Sequence, residues 1–310
     1  MSTSKQFDNS TIRIFFVAEP RNPLVSWESW FYLTLVAIAL TGVLLTEYFL
    51  PISYVHLISE DRIGEYSTSV AFATAGVFFL TAGSRSAGVN RLFLIFMSIF
   101  SLFIAGEEIS WGQRIIGIDT PEVVRQINKQ GELTIHNIGP LQKLNFHVAA
   151  GILLQVLMLV SVFRDLLSKR FAWIGDLSLP ALSIWPTTIV VSMILIARPM
   201  VKGDEIAEAL LSFIVLFWAL HTAFEFKVVK MSGYSRELMA MAILSMVVIS
   251  GMFLSNAFGR DMGWRYNIAA SRDYPERGMM EQSRILFEHI MSDPELIRPD
   301  TVENFRYLHE

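Results

Sequence analysis

The stretch LFLIFMSIFSLFIAGEEISWGQR, residues 92–114, decides the class of fold. Residues 92–106 carry no charge, and residues 107–114 then bring two adjacent glutamates and an arginine. A run this apolar belongs in a protein core or in a bilayer, and crossing the hydrocarbon takes roughly 20 residues. The rest of the chain chooses between the two. Comparable blocks recur at residues 30–50, 66–83, 146–163, 177–197, 206–224 and 238–258. Of the 310 residues, 53% are hydrophobic and 17% charged, against about 25% charged in soluble domains. Mean hydropathy is +0.45. Inside a bilayer only helices and closed barrels satisfy their own backbone, and blocks of this length are helices. The sequence therefore predicts an all-α polytopic membrane protein, a bundle of about seven transmembrane helices with an amphipathic helical C-terminal tail.

Local signals refine this outline. Ala71, Ala73, Ala75 and Gly76 in the second block permit close helix contact. Pro186 is expected to kink the fifth span. Asp119-Thr120-Pro121-Glu122 reads as a capped helix start, with Val123, Val124 and Ile127 on one apolar face and Gly131 as the stop. It predicts a helix at about 121–130 lying on the membrane surface. In the tail, Met280, Phe287, Ile290 and Met291 recur at helical spacing, and Asp300-Thr301-Val302-Glu303 opens a last short helix. Residues 1–28 are too mixed for a signal peptide, so the first span is expected to direct its own insertion.

Counting Lys and Arg in the flanks gives eleven on the side bearing Lys5, Arg85, Arg164 and Lys227, and seven on the side bearing Arg62, Arg114 and Lys202. The positive-inside rule then assigns residues 1–29 to the cytoplasm and 30–259 to the transmembrane domain. Seven spans put the tail, 260–310, outside, which is the periplasm for a bacterial plasma (inner) membrane. The tail is expected to cap the external face; a protein partner docking through residues 260–310 is the alternative. A net charge of −4 without a basic stripe implies no nucleic-acid partner. The absence of cysteine removes disulfides, thiolate metal sites and cysteine nucleophiles.

With this topology, polar groups from distant parts of the chain gather at the external interface. If the third helix runs on through 107–114, Glu107, Trp111 and Arg114 share a face. Glu107 and Glu108 are the candidate acid/base pair, with His136 as a third catalytic candidate. Arg114, Gln113, Trp111, Asn137 and Glu60 are the candidate substrate-binding residues. A divalent metal is an optional cofactor, with Glu108, His136 and His147 as its ligands. The competing reading is a structural ion-pair network with Arg114. His221 and Glu225, four apart at the cytoplasmic end of the sixth span, are expected to pair. No GxSxG, Walker or HExxH motif occurs.

The block Glu107-Glu108-Ile109-Ser110-Trp111-Gly112-Gln113-Arg114 precedes Asn128-Lys129-Gln130-Gly131-Glu132 and His136-Asn137. Together these resemble an uncharacterised bacterial multi-pass membrane protein family, over residues 30–160, and the resemblance brings no activity with it. A fainter resemblance links Glu107-Glu108 and Phe217–His221 to the CAAX-type intramembrane proteases, although five residues separate the glutamates from Arg114. The functional expectation is an integral-membrane hydrolase or transferase acting on a lipid or lipid-linked substrate. The alternative is a scaffold or subunit of a membrane complex.

Overall fold

The computed structural model describes residues 27–59, 61–128, 133–135, 138, 146–197, 199–228, 235–259, 270 and 273–292. They are predominantly helical, and the only β pairing among them is an isolated bridge between Asn128 and Ile138. In chain order the helices are α1 (Trp27–Phe49), α2 (Pro51–Ile58), α3 (Ile63–Ser84), α4 (Gly88–Glu108), α5 (Gln113–Ile116) and α6 (Glu122–Ile127). Then come α7 (Phe146–Val162), α8 (Arg164–Arg170), α9 (Trp185–Ala197), α10 (Gly203–Glu225), α11 (Ser235–Phe258) and α12 (Met280–Ser292).

Among the described residues five helices are long and apolar enough to cross a membrane, or six if α7 and α8, bent by 80°, count as one. The all-α polytopic class expected from the sequence holds, with five or six such helices described where about seven spans were expected. The fifth apolar block is helical over only thirteen residues, Trp185–Ala197. Its two prolines explain why. Pro186 sits in the first turn of α9, where a missing N–H costs nothing, so it starts the helix and does not kink it. Between the short 3-10 turns Ala172–Asp176 and Leu182–Ile184 the backbone is non-helical and largely buried, and side chains satisfy it. Asn90 Oδ1 accepts from the Ser178 N–H at 2.8 Å, and Trp218 Nε1 donates to the Ser178 carbonyl at 3.0 Å. Ser161 Oγ donates to the Pro180 carbonyl at 3.0 Å. Irregular backbone survives among apolar helices only on such terms.

The centre of the bundle is α10, buried on nearly every face, with Trp218 packed edge-on against Phe79 of α3. Around it α3 packs on α4, α10 and α11. The small residues read from the sequence make this possible, since Ala71 and Ala75 are fully buried. A Cβ on Gly76 would lie 2.7 Å from Leu102 Cγ. Ser69 Oγ donates across to the Ala105 carbonyl at 2.8 Å, a polar tie between α3 and α4. By contrast α1 and α11 expose most of their surface, as helices facing lipid do.

The bundle has two distinct ends. At one, the Val201 N–H donates to Glu47 Oε1 at 2.8 Å, Tyr54 OH donates to the Val201 carbonyl, and Gly259 abuts Asp61. That end joins the last turns of α1 and α11 to the starts of α3 and α10. At the other end, Arg85 donates to the Lys227 carbonyl and Arg236 lies 5.3 Å over the Phe224 ring.

The tail helix α12 packs against α2 at the first of these ends. Its buried face is Gln282, Ser283, Leu286 and Ile290, whereas Met280 and Met291 are exposed. The expected apolar face is thus rotated in part: Ile290 is buried and Phe287 packs against the core, while Met280 and Met291 do not. Gln282 Nε2 reaches the Tyr48 carbonyl at 2.9 Å, one of the carbonyls left open at the end of α1, and this bond sets the rotation. The helix expected at 121–130 is shorter, Glu122–Ile127, and Asp119 does not cap it. It buries none of its residues, as a surface helix should. The helix expected from Asp300 lies outside the described residues.

Candidate functional site: a carboxylate-lined cavity

The block 106–114 does not continue the α4 helix. The helix stops at Glu108, and Ser110, Trp111 and Gly112 follow with φ of 49°, 56° and 73°. Two non-glycine residues in succession at left-handed φ are unfavourable and need outside support. Trp111 supplies it. Its ring folds back onto Gly106, so closely that a Cβ there would lie 2.8 Å from the indole, and packs edge-on against Phe103. Its Nε1–H donates to Glu107 Oε1 at 2.5 Å. The Glu107–Trp111 contact expected from helical spacing therefore exists, but a reversed turn makes it.

The second oxygen of Glu107 accepts the Ile135 N–H at 2.7 Å. Glu107 is 7% exposed, so this carboxylate ties the end of α4 to the long loop. Gln113 does similar work. Its Oε1 accepts the Leu133 N–H at 2.9 Å and its Nε2 donates to Thr120 Oγ1. Asn128 Nδ2 donates to the Thr134 carbonyl at 2.8 Å. Part of the polar wealth of this region is thus structural.

The remainder faces a cavity of about 270 Å³. Glu65 of α3, Glu107 and Glu108 of α4, and Glu205 and Glu208 of α10 line it, with Ser67, Thr68 and Ser110 beside them. Deeper along the helices the lining turns apolar, with Ala39 and Val43 of α1, Leu210 and Phe213 of α10, and Val248 of α11. Five glutamates from three helices on one wall need protons, cations or hydrogen-bond donors close by. The arrangement can hold or exchange a proton beside an apolar pocket.

The sequence candidates fall into three groups. Glu107, Glu108, Trp111 and Gln113 are brought together at the end of α4, and Glu107 and Glu108 line the cavity. The backbone places Arg114 on α5 and His147 in the first turn of α7, with their side chains outside the described residues. Glu60, His136 and Asn137 also lie outside them. Among the described residues no three His, Asp or Glu form a group able to hold a metal. His221 pairs with Glu225 at 3.5 Å, as expected. It lies thirteen residues beyond Glu208, roughly 20 Å along α10.

Glu65 and Glu205 belong to the polar groups expected to converge at this interface, although not to the candidate site residues, and Glu208 is the cavity glutamate that sequence reasoning left out of that convergence. For Glu208 a signal was available, because an ionisable group inside an apolar span is a site candidate by default. Its place near one end of the run hid its significance. Comparison with known protein families, curated proteins and solved structures found no match to this chain. The fold and cavity together define a class, a polytopic helical membrane protein with an acidic cavity among the ends of its helices.

Proposed function

We propose that the cavity is the active site of an integral-membrane hydrolase or transferase acting on a lipid or lipid-linked substrate. One observation carries this reading: a single cavity joins carboxylates at the bundle end to apolar walls between membrane-crossing helices. A soluble substrate has no use for the apolar half, and an acyl chain alone has none for the glutamates. Glu108 is the proton donor or acceptor, and Glu208 faces the same space. Glu107, with both oxygens engaged, acts as a positioning residue. His136 and Asn137 follow Ile135 directly in the chain, and Arg114 follows Gln113, so all three are kept as substrate contacts. The excess of Lys and Arg at the opposite end favours a cytoplasmic N-terminus and a cavity opening outward, at the periplasmic face of a bacterial plasma membrane.

The test is complementation. In a strain lacking the chain, wild type restores the lipid profile and Glu108→Ala does not. Full restoration by both Glu108→Ala and Glu208→Ala would overturn the proposal. A scaffold role is the second reading, favoured by the hydrogen bonds that occupy Glu107, Gln113 and Asn128. It expects a stoichiometric partner that co-purifies with the full chain and is lost when exposed residues of the tail, such as Met280 and Met291, are changed to aspartate.

A further inference from the structure

The wall of the cavity is incomplete toward the lipid. Among the described residues α1 packs on α2 and α9, and α11 packs on α3, with no substantial contact between α1 and α11. Ala39 lies on the exposed surface of α1 and also lines the cavity. Val43, Phe213 and Val248, which line it too, are only half-buried. The gap between the two helices therefore connects the cavity with the surface that faces hydrocarbon.

The gap has a floor. Tyr32 of α1 meets Phe217 of α10 with ring centroids 4.8 Å apart, and Val36 above Tyr32 is buried. α1 and α10 run antiparallel, so this contact closes the gap at the end away from the glutamates. From Glu205 to Phe213 is two turns of α10, roughly 12 Å, and from Glu205 to the floor at Phe217 is roughly 18 Å. A bilayer core is about 30 Å thick, so the depth matches the hydrocarbon of one leaflet. Polarity follows the same axis, from carboxylates at the rim to aliphatic and aromatic side chains below.

Resting on the reading of the cavity as a lipid site, we propose that it is loaded sideways. A bilayer lipid from the leaflet at the carboxylate end enters between α1 and α11. One acyl chain lies along Ala39, Val43, Phe213 and Val248, and the headgroup stands at Glu205 and Glu208. Phe213 and the Tyr32–Phe217 floor limit how far the chain reaches, so they set the chain length the site accepts.

The chain has no cysteine, so single-cysteine variants need no prior engineering. Bimane is attached at Phe213→Cys, or at Val43→Cys as an independent reporter, in phosphatidylcholine vesicles containing acyl-chain nitroxide lipid. Ile249→Cys, exposed, and Leu216→Cys, buried, are the controls. Quenching at 213 and 43 is expected to reach at least half of that at 249. It should fall several-fold when Ala39→Trp and Val248→Trp fill the gap, with 249 unchanged. Quenching at 213 and 43 no greater than at 216, or insensitive to the tryptophans, overturns lateral entry. The outcome is separable from the enzymatic reading. Quenching together with an active Glu108→Ala removes the chemistry and leaves the portal, whereas no quenching with an inactive Glu108→Ala does the reverse.

Discussion

Glu107 and Glu108 are neighbours in sequence and divide their work. Glu107 accepts hydrogen bonds on both oxygens, from Trp111 and from the Ile135 backbone, while Glu108 is half-buried at the cavity. Hydrogen bonds to a charged acceptor are worth about 1.5–3 kcal/mol each. Glu107→Ala is therefore expected to lower stability by about 3 kcal/mol, seen as a clear drop in the thermal midpoint in detergent. Glu108→Ala, which removes the carboxylate placed as proton donor or acceptor, is expected to abolish complementation. A Glu107→Ala thermal midpoint equal to wild type, or full complementation by Glu108→Ala, would contradict this division. Tyr274 makes a different prediction. Burial, reinforced by the charge of Glu47, raises its phenol above the ordinary value near 10. The unfolded tail then loses its proton first, so tail docking is at full strength below about pH 10 and weakens above it. Hydrogen exchange across 280–292 should rise at alkaline pH in wild type and rise less in Tyr274→Phe. At this scale the sequence showed which residues were out of place in so apolar a chain. It could not show that Glu107 is bonded to a backbone amide 28 residues away, because no spacing rule connects a helix end to a remote loop.

At the scale of elements, apolar block length was legible and helix rotation was not. Spans one, two, three, six and seven correspond to long helices, because their composition leaves the backbone no other way to satisfy itself. The fifth block failed as a helix over its first part, where Asn90, Ser161 and Trp218 offer the bonds a helix would otherwise make. Those partners sit on three other helices and are invisible to a window along the chain. Gly251 shows how tightly α3 and α11 meet, since a Cβ there would lie 2.1 Å from Ser67 Oγ and 2.8 Å from the Ser67 nitrogen. Gly251→Leu is expected to destabilise by more than the ~1–3 kcal/mol typical of overpacking, because the obstacle is backbone. A thermal midpoint equal to wild type would mean that α3 and α11 do not pack this way. In the tail, periodicity found a helix but chose Met280 and Met291 over Leu286 for its buried face. The deciding feature was the Gln282 bond to the end of α1. Leu286→Asp should therefore expose α12 to limited proteolysis while Met291→Asp should not.

At the scale of the whole molecule, the convergence of helix ends was readable in advance, because hydrocarbon excludes charge from the helix middles. Which carboxylates turn inward was not, since that depends on the rotation of α10 against α3. Everything proposed for the cavity requires Glu65, Glu108 and Glu205 to share one side of the membrane, away from Arg85 and Lys227. The most direct test is labelling with a membrane-impermeant maleimide on sealed, uniformly oriented vesicles. Single cysteines are placed at each of the five positions in this cysteine-free chain. The structure predicts that 65, 108 and 205 react from one side and that 85 and 227 react only after the vesicles are opened or inverted. Reaction of 65 and 205 from opposite sides would contradict it.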